Sequence, residues 1–207
     1  MASENHTDQS ESDDSTLEDF NVRSITLQLQ NQMVGTLPSC ILRMFMDDAS
    51  VRLFDNICGL FKLYSGSSKL ATMYIKRIVK MNVRLTIYSS SDILNEEEVN
   101  LTYDFHDRCH LAAEIVLRLG RPTHRLMPGV TPTIEKLLQT VEESRDLALR
   151  IMERHLSEKT REKFREAVDR FTKMEFFKCI FGQEDSYKEL MTKIYNDIED
   201  LMDRGLF

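Results

Sequence analysis

Apolar residues recur at steps of three and four along almost the whole chain, and no stretch alternates apolar with polar residues over a useful length. A chain patterned this way folds as helices, and each apolar stripe has to be buried against another helix. The stripes begin with Val22, Ile25, Leu29 and Met33, behind a capping box of Ser15 and Glu18. The segment 50–64 carries two stripes, Leu53-Ile57-Leu60-Tyr64 beside Val51-Phe54-Cys58-Phe61, which makes it apolar over most of its girth and central. A helix over 69–88 follows, with Leu70, Tyr74, Ile78 and Leu85. Asn95 caps the next helix, which Gly120 stops with Pro122 just beyond. The longest loop, 120–132, leads into a helix that Thr131-Pro132 opens and that runs to His155. The pattern then predicts one helix over 158–180 and a last one from Ser186 to Gly205. The expected fold is all-α, a single bundle of six to seven helices around a large apolar core or cavity.

Charge divides the chain in two. Residues 1–19 hold seven acids and no Lys or Arg, and the rest holds 27 acids against 27 bases, a neutral body. The tail reads as a disordered, solubilising arm, and 20–207 as the folded domain. A neutral body lacks the basic excess that phosphate backbones reward, so nucleic acid is not an expected partner. No stretch reaches the ~18 apolar residues of a membrane span, and the acidic start is unlike a secretory signal. The expected location is cytoplasmic. Cys40, Cys58, Cys109 and Cys179 form no CxxC pair and read as reduced thiols.

Chemistry-bearing motifs are few. His106 and His110 stand four apart, the spacing zinc-binding helices use, with Asp107 between them. The His106-Asp107 dipeptide is similar to that of metal-dependent HD phosphohydrolases, but the further His and Asp ligands those need have no matching motif here. No phosphate loop, dinucleotide fingerprint or nucleophile elbow occurs. Neighbouring helical residues point about 100° apart, so Cys109 and His110 do not pair as thiolate and base. No catalytic residue, metal or cofactor is assigned. The more telling feature is the helix 69–88, which holds Lys69, Lys76, Arg77, Lys80 and Arg84 and no acid. Lys76, Lys80 and Arg84 share one face, where their stems can line apolar surface and their heads can meet an anion. Eleven Met and eleven Phe without Trp suit an adaptable interior.

The order of segments resembles the tumour necrosis factor alpha-induced protein 8 family from Phe20 to the end of the chain. The pieces that carry the resemblance are Phe20-Asn21-x-Arg23-Ser24-Ile25-x-Leu27-Gln28 and Asp47-Asp48-Ala49-Ser50. Ile78-Val79-Lys80 with Val83-Arg84, Glu153-Arg154-His155-Leu156-Ser157-x-Lys159-Thr160, and Asp169-Arg170-Phe171 follow in order. The resemblance implies a helical bundle around a large apolar cavity. It also implies a non-enzymatic cytosolic regulator of cell death and immune signalling that binds phosphoinositides or related phospholipids, in contact with the inner membrane surface but not spanning it. Head-group candidates are then Lys76, Lys80, Arg84, Arg108 and His106; cavity-lining candidates are Ile57, Phe61, Ile78, Val83, Ile115 and Leu138. Asn31 and Gln32 stand where the family's first helix usually carries two lysines, and Ser90 and His106 stand at basic positions of the cavity mouth. Burial of a lipid tail is therefore a stronger implication than recognition of a phosphorylated head group. The competing class is a protein-interaction adaptor with a solid core; a metal-dependent phosphohydrolase built on His106-Asp107 is more remote.

Overall fold

A computed structural model describes residues 21–25, 27, 47–120, 130–182 and 185–206. The acidic tail 1–19, most of the first expected helix and the loop 121–129 lie outside the described residues. The fold is all-α, with no strand among the described residues.

Its helices begin where the sequence supplies caps. Residues 22–25 are helical, opened by Asn21, whose Oδ1 accepts the Ser24 N–H at 3.0 Å. Helix α1, Asp48–Ser65, is capped by Asp47, which accepts the Ala49 N–H at 2.9 Å. It ends at Gly66, whose left-handed φ of 64° lets its N–H close back on the Lys62 carbonyl at 3.0 Å. Ser67 then caps α2, Ser68–Ser89. Helices α3, Glu96–Gly120, and α4, Val130–Ile151, form one packed pair. Helices α5, Glu158–Phe171, and α6, Met174–Ile180, precede α7, Asp185–Asp203, which lies along α1 and against α3. Helix α2 packs on α1 at one side and α5 at the other.

The boundaries depart from the sequence pattern in two instructive places. Helix α4 stops at Ile151 rather than His155, and 152–156 turns so that Met152 is fully buried while Arg154 and His155 reach α3. The helix expected over 158–180 is two. Thr172 ends α5, its Oγ1 donating to the Val168 carbonyl at 2.8 Å, and Lys173 is extended at φ −131°, ψ 142°. Phe171 and Phe176 would stand about 140° apart on a continuous helix. The break turns both onto Phe61, which stacks on Phe171 with centroids 3.6 Å apart and meets Phe176 edge-on at 5.3 Å. Aromatic packing overrides a helical period that continues across the break.

Two apolar clusters fill the bundle. The larger joins Val22 and Ile25 to α1, α2, the C-terminal half of α3, α6 and α7. The smaller gathers Met81, Leu85, Leu101, Met152 and Phe164 where α2, α3, α4 and α5 meet. Ile78 on α2 touches both.

Polar ties pin the ends. Arg204, beyond α7, grips Asp47 with two hydrogen bonds of 2.8 and 2.9 Å, and that guanidinium holds the Asp47 carboxyl down at about 2. Arg23 pairs with Asp48, fixing residues 22–25 at the start of α1. Asp197, only 5% exposed on α7, accepts from Arg52 Nε at 3.0 Å and Asn56 Nδ2 at 3.3 Å on α1.

Candidate functional site

Helix α2 has no fully exposed residue between Ala71 and Tyr88, although it carries five bases and no acid. Lys76, Lys80 and Arg84 are each half-buried. At about 100° per residue Val83 and Ile87 fall on the same side, and both are buried in the larger cluster, with Val79 beside them. The row therefore runs along the border of the apolar interior, where stems of Lys and Arg pack on apolar surface. Arg77, off this row, is taken by Glu166: Nη1 lies 2.8 Å from Oε2, the Tyr74 hydroxyl donates to Oε1 at 3.0 Å, and the guanidinium stands over the Tyr74 ring.

The two remaining head-group candidates sit on α3 and point in different directions. Arg108 Nε meets Glu143 Oε2 of α4 at 3.2 Å. His106 lies with Asp107, His110, Leu111 and Glu114 around an open cleft. Of the six cavity-lining candidates, Phe61, Val83 and Ile115 are buried members of the larger cluster. Ile57, Ile78 and Leu138 are half-buried against it. Phe61 faces the aromatic group of α5 and α6, whereas Ile78 and Val83 lie next to the basic row.

The His106–His110 pair does share a face, as its spacing requires. His110 Nδ1 stands 3.5 Å from Glu114 Oε1 and His106 Nδ1 4.0 Å from Asp107 Oδ1. Among the described residues no three His, Cys, Asp or Glu side chains stand close enough to share a metal ion. Burial pushes the Cys109 thiol up to about 11, against a hydrogen bond from Ser144, so at neutral pH it is a protonated thiol and a poor nucleophile.

The most elaborate polar constellation was not among the sequence candidates. Glu98, in the first turn of α3 and 5% exposed, accepts two 2.7 Å hydrogen bonds from Arg154 and stands 3.3 Å from His155 Nε2. It also closes a capping box with Asn95: the Asn95 N–H donates to Glu98 at 2.9 Å and the Glu98 N–H donates back at 2.8 Å. Arg154 first, then these other donors, hold the Glu98 carboxyl at about 2 against the opposing effect of burial. His155 rests on the Tyr88 ring at the end of α2. The signal was present as Asn95-x-x-Glu98, but nothing in a sequence period joins it to residues more than fifty positions on.

Residues 20–205 match the family described as "Tumor necrosis factor alpha-induced protein 8-like". The chain belongs to this family. Tumor necrosis factor alpha-induced protein 8 of Gallus gallus is 25% identical over 187 residues, covering 90% of this chain and 96% of the relative. The Homo sapiens protein of the same name is 23% identical over 199 residues, covering 96% and 98%. Tumor necrosis factor alpha-induced protein 8-like protein 2 of Otolemur garnettii is 24% identical over 190 residues, covering 91% and 99%. The segments that carried the resemblance have definite work in this member of the tumor necrosis factor alpha-induced protein 8-like family. Asn21 and Arg23 cap and tether the first helical turn, Asp47 and Asp48 start α1, and Arg154 with His155 locks α4 to α3. No helix among the described residues is long and apolar enough to cross a membrane.

Proposed function

We propose that this family member is a non-enzymatic, cytoplasmic regulator of cell death or immune signalling that binds a phospholipid of the phosphoinositide class. Acyl carbons enter the apolar interior beside Ile78 and Val83, and the anionic head group meets Lys76, Lys80 and Arg84. The observation that carries this reading is the half-burial of three bases along a helix face whose other residues, Val83 and Ile87, belong to the core. Each buried CH₂ contributes about 0.8 kcal/mol, and charge-assisted hydrogen bonds to phosphate add direction as well as energy. Arg108, already paired with Glu143, and His106, in its own cleft, contribute less to the head-group site than the sequence alone suggests.

The test is binding to vesicles containing phosphatidylinositol bisphosphate. K76Q/K80Q/R84Q should weaken binding several-fold, more at 0.05 M than at 0.5 M salt, because screening shortens with ionic strength. V83W should reduce lipid uptake at every salt concentration by filling the interior. Unchanged binding in the triple variant refutes the reading. The adaptor class then leads, favoured by one observation: Val99 and Tyr103 lie one turn apart on α3 and are 36% and 68% exposed, and Ile93, shortly before the helix, is 51% exposed.

A further inference from the structure

Among the described residues six large apolar side chains stand well exposed, and three of them, Ile93, Val99 and Tyr103, fall within one short stretch of chain. Single exposed apolar residues are ordinary, whereas a group of them marks a surface that meets something. Val99 and Tyr103 lie four positions apart on α3 and share a face, and Tyr103 is the most exposed of the six. The far side of α3 buries Leu101, Ile115 and Leu119 and sends Glu97 and Arg108 to partners on α4. At about 100° per residue, Glu96, Asp107 and Glu114 fall within about 40° of Tyr103 and are exposed with it.

Charge selects what this face can meet. From Leu85 to Asp107 the chain has six acids and no Lys or Arg. Two of the six are answered by α4 and the turn after it, Glu97 by Arg150 at 3.7 Å and Glu98 by Arg154 at 2.7 Å. Asp107 and, further on, Glu114 stand by imidazoles rather than by Lys or Arg, His106 at 4.0 Å and His110 at 3.5 Å. Such a face repels an anionic membrane or a nucleic acid. Two copies meeting symmetrically through it would set acid against acid. Nor does this chain supply a basic cover: residues 1–19 are acidic, and 26–46 hold one base, Arg43. Arg121 and Arg125 belong to the connection from Gly120 to Val130, whose midpoint reaches out about 18 Å at full extension, and Tyr103 is about 26 Å back along α3.

We infer that the Val99–Tyr103 face of α3 docks a Lys- and Arg-rich amphipathic helix of another protein. The face is the ridge of a single helix with its apolar residues one turn apart, the spacing that the ridges and grooves of a second helix match. The partner's apolar stripe covers Val99 and Tyr103, and its bases meet Glu96 at one end and Asp107 and Glu114 at the other. Glu96 to Glu114 spans about 27 Å, or about five turns of a partner helix. Tyr103 is the anchor, since an exposed tyrosine offers large apolar area with few rotatable bonds. The acids set approach rate and register more than strength. The docking stands whether or not the interior holds lipid.

The probe is a fluorescein-labelled Lys/Leu peptide of about 18 residues, about 27 Å as a helix, with its leucines on one stripe. Titrated with the full-length protein in the absence of lipid, it should show saturable binding by fluorescence anisotropy. V99S/Y103S should weaken that binding about tenfold. E96Q/D107N/E114Q should weaken it about three- to tenfold at about 0.05 M salt and little at about 0.5 M. All five side chains are exposed, so these changes spare the core. A peptide of the same composition with its leucines scattered around the helix needs no variant, and it should bind the unaltered protein about tenfold more weakly. Carbodiimide coupling of the bound peptide, read by mass spectrometry, should join its lysines to Glu96, Asp107 or Glu114. Absence of binding overturns the proposal, as does binding indifferent to V99S/Y103S or to the leucine pattern. Coupling confined to the acids of residues 1–19, or spread evenly over the exposed Glu135, Asp185 and Glu199, overturns it as well.

Discussion

Replacing Arg154 with Met removes the partner of a buried carboxylate while keeping most of the side-chain bulk. Removing one member of a buried ion pair costs about 3–5 kcal/mol, chiefly because the other charge is stranded. Here the side chain of Arg154 is 58% exposed, and Glu98 keeps the Asn95 N–H at 2.9 Å and His155 at 3.3 Å. Those remaining donors bring the expected cost to about 2–3 kcal/mol. At 2–4 °C per kcal/mol for a domain of this size, the midpoint of thermal unfolding followed by circular dichroism should fall by about 4–12 °C at pH 7. The pH dependence adds a second check. The folded Glu98 titrates near 2, below its ordinary 4.5, so its contribution is complete above the unfolded value and is lost as pH falls toward 2. Wild type should already have lost about 1 kcal/mol of this contribution by pH 4, so the gap between wild type and R154M narrows there. Glu98→Gln, which retains the cap and leaves Arg154 to water, should cost less than R154M. A fall under 2 °C, or a gap as wide at pH 4 as at pH 7, refutes the clamp.

Three further outcomes follow from the packing. Phe171→Ala removes a ring that stacks on Phe61 and meets Tyr74 and Phe176 edge-on; urea unfolding should show a loss of about 3–5 kcal/mol, and a loss under 2 would contradict the stack. Gly120→Ala places a methyl group 2.7 Å from Cζ of Tyr195, so the better helix propensity of Ala should be outweighed by about 1–2 kcal/mol of overpacking. Adding Tyr195→Leu should recover part of that loss in the same assay. Burial raises the thiol pKa of Cys58 and Cys109, so iodoacetamide at pH 8 should label both far more slowly in native than in urea-unfolded protein.

Burial was the most legible property of the sequence. The double stripe of 50–64 marks a central helix, and α1 does bury Leu53, Cys58, Leu60 and Phe61 on two sides. The cap at Asn95 was legible for a similar reason, since its Oδ1 accepts the N–H of Glu98 only three residues on, whereas the cap of α2 is Ser67. The break at Thr172 was not. Its local chemistry, a Thr followed by Lys, tolerates helix, and the cause lies about 110 positions away in the ring of Phe61. A period measures which residues turn inward and carries no information about which inward residues meet.

The same distinction separates the two polar sites. The basic row is legible because its signal is one-sided, with five bases on one helix and no acid to neutralise them locally. Glu98 is illegible because it begins Glu96-Glu97-Glu98-Val99 as one of three acids in a first turn, where acids are ordinary partners of the helix dipole. Its neighbours Glu96 and Glu97 are exposed; only Glu98 faces Arg154 and His155. Charge imbalance within an element is visible in one stretch of sequence even where another element answers it, as Glu166 of α5 answers Arg77. Charge balance between distant elements is spent inside the fold, which is why the pairing of Glu98 with Arg154, more than fifty positions on, shows in the structure and in no local window of sequence.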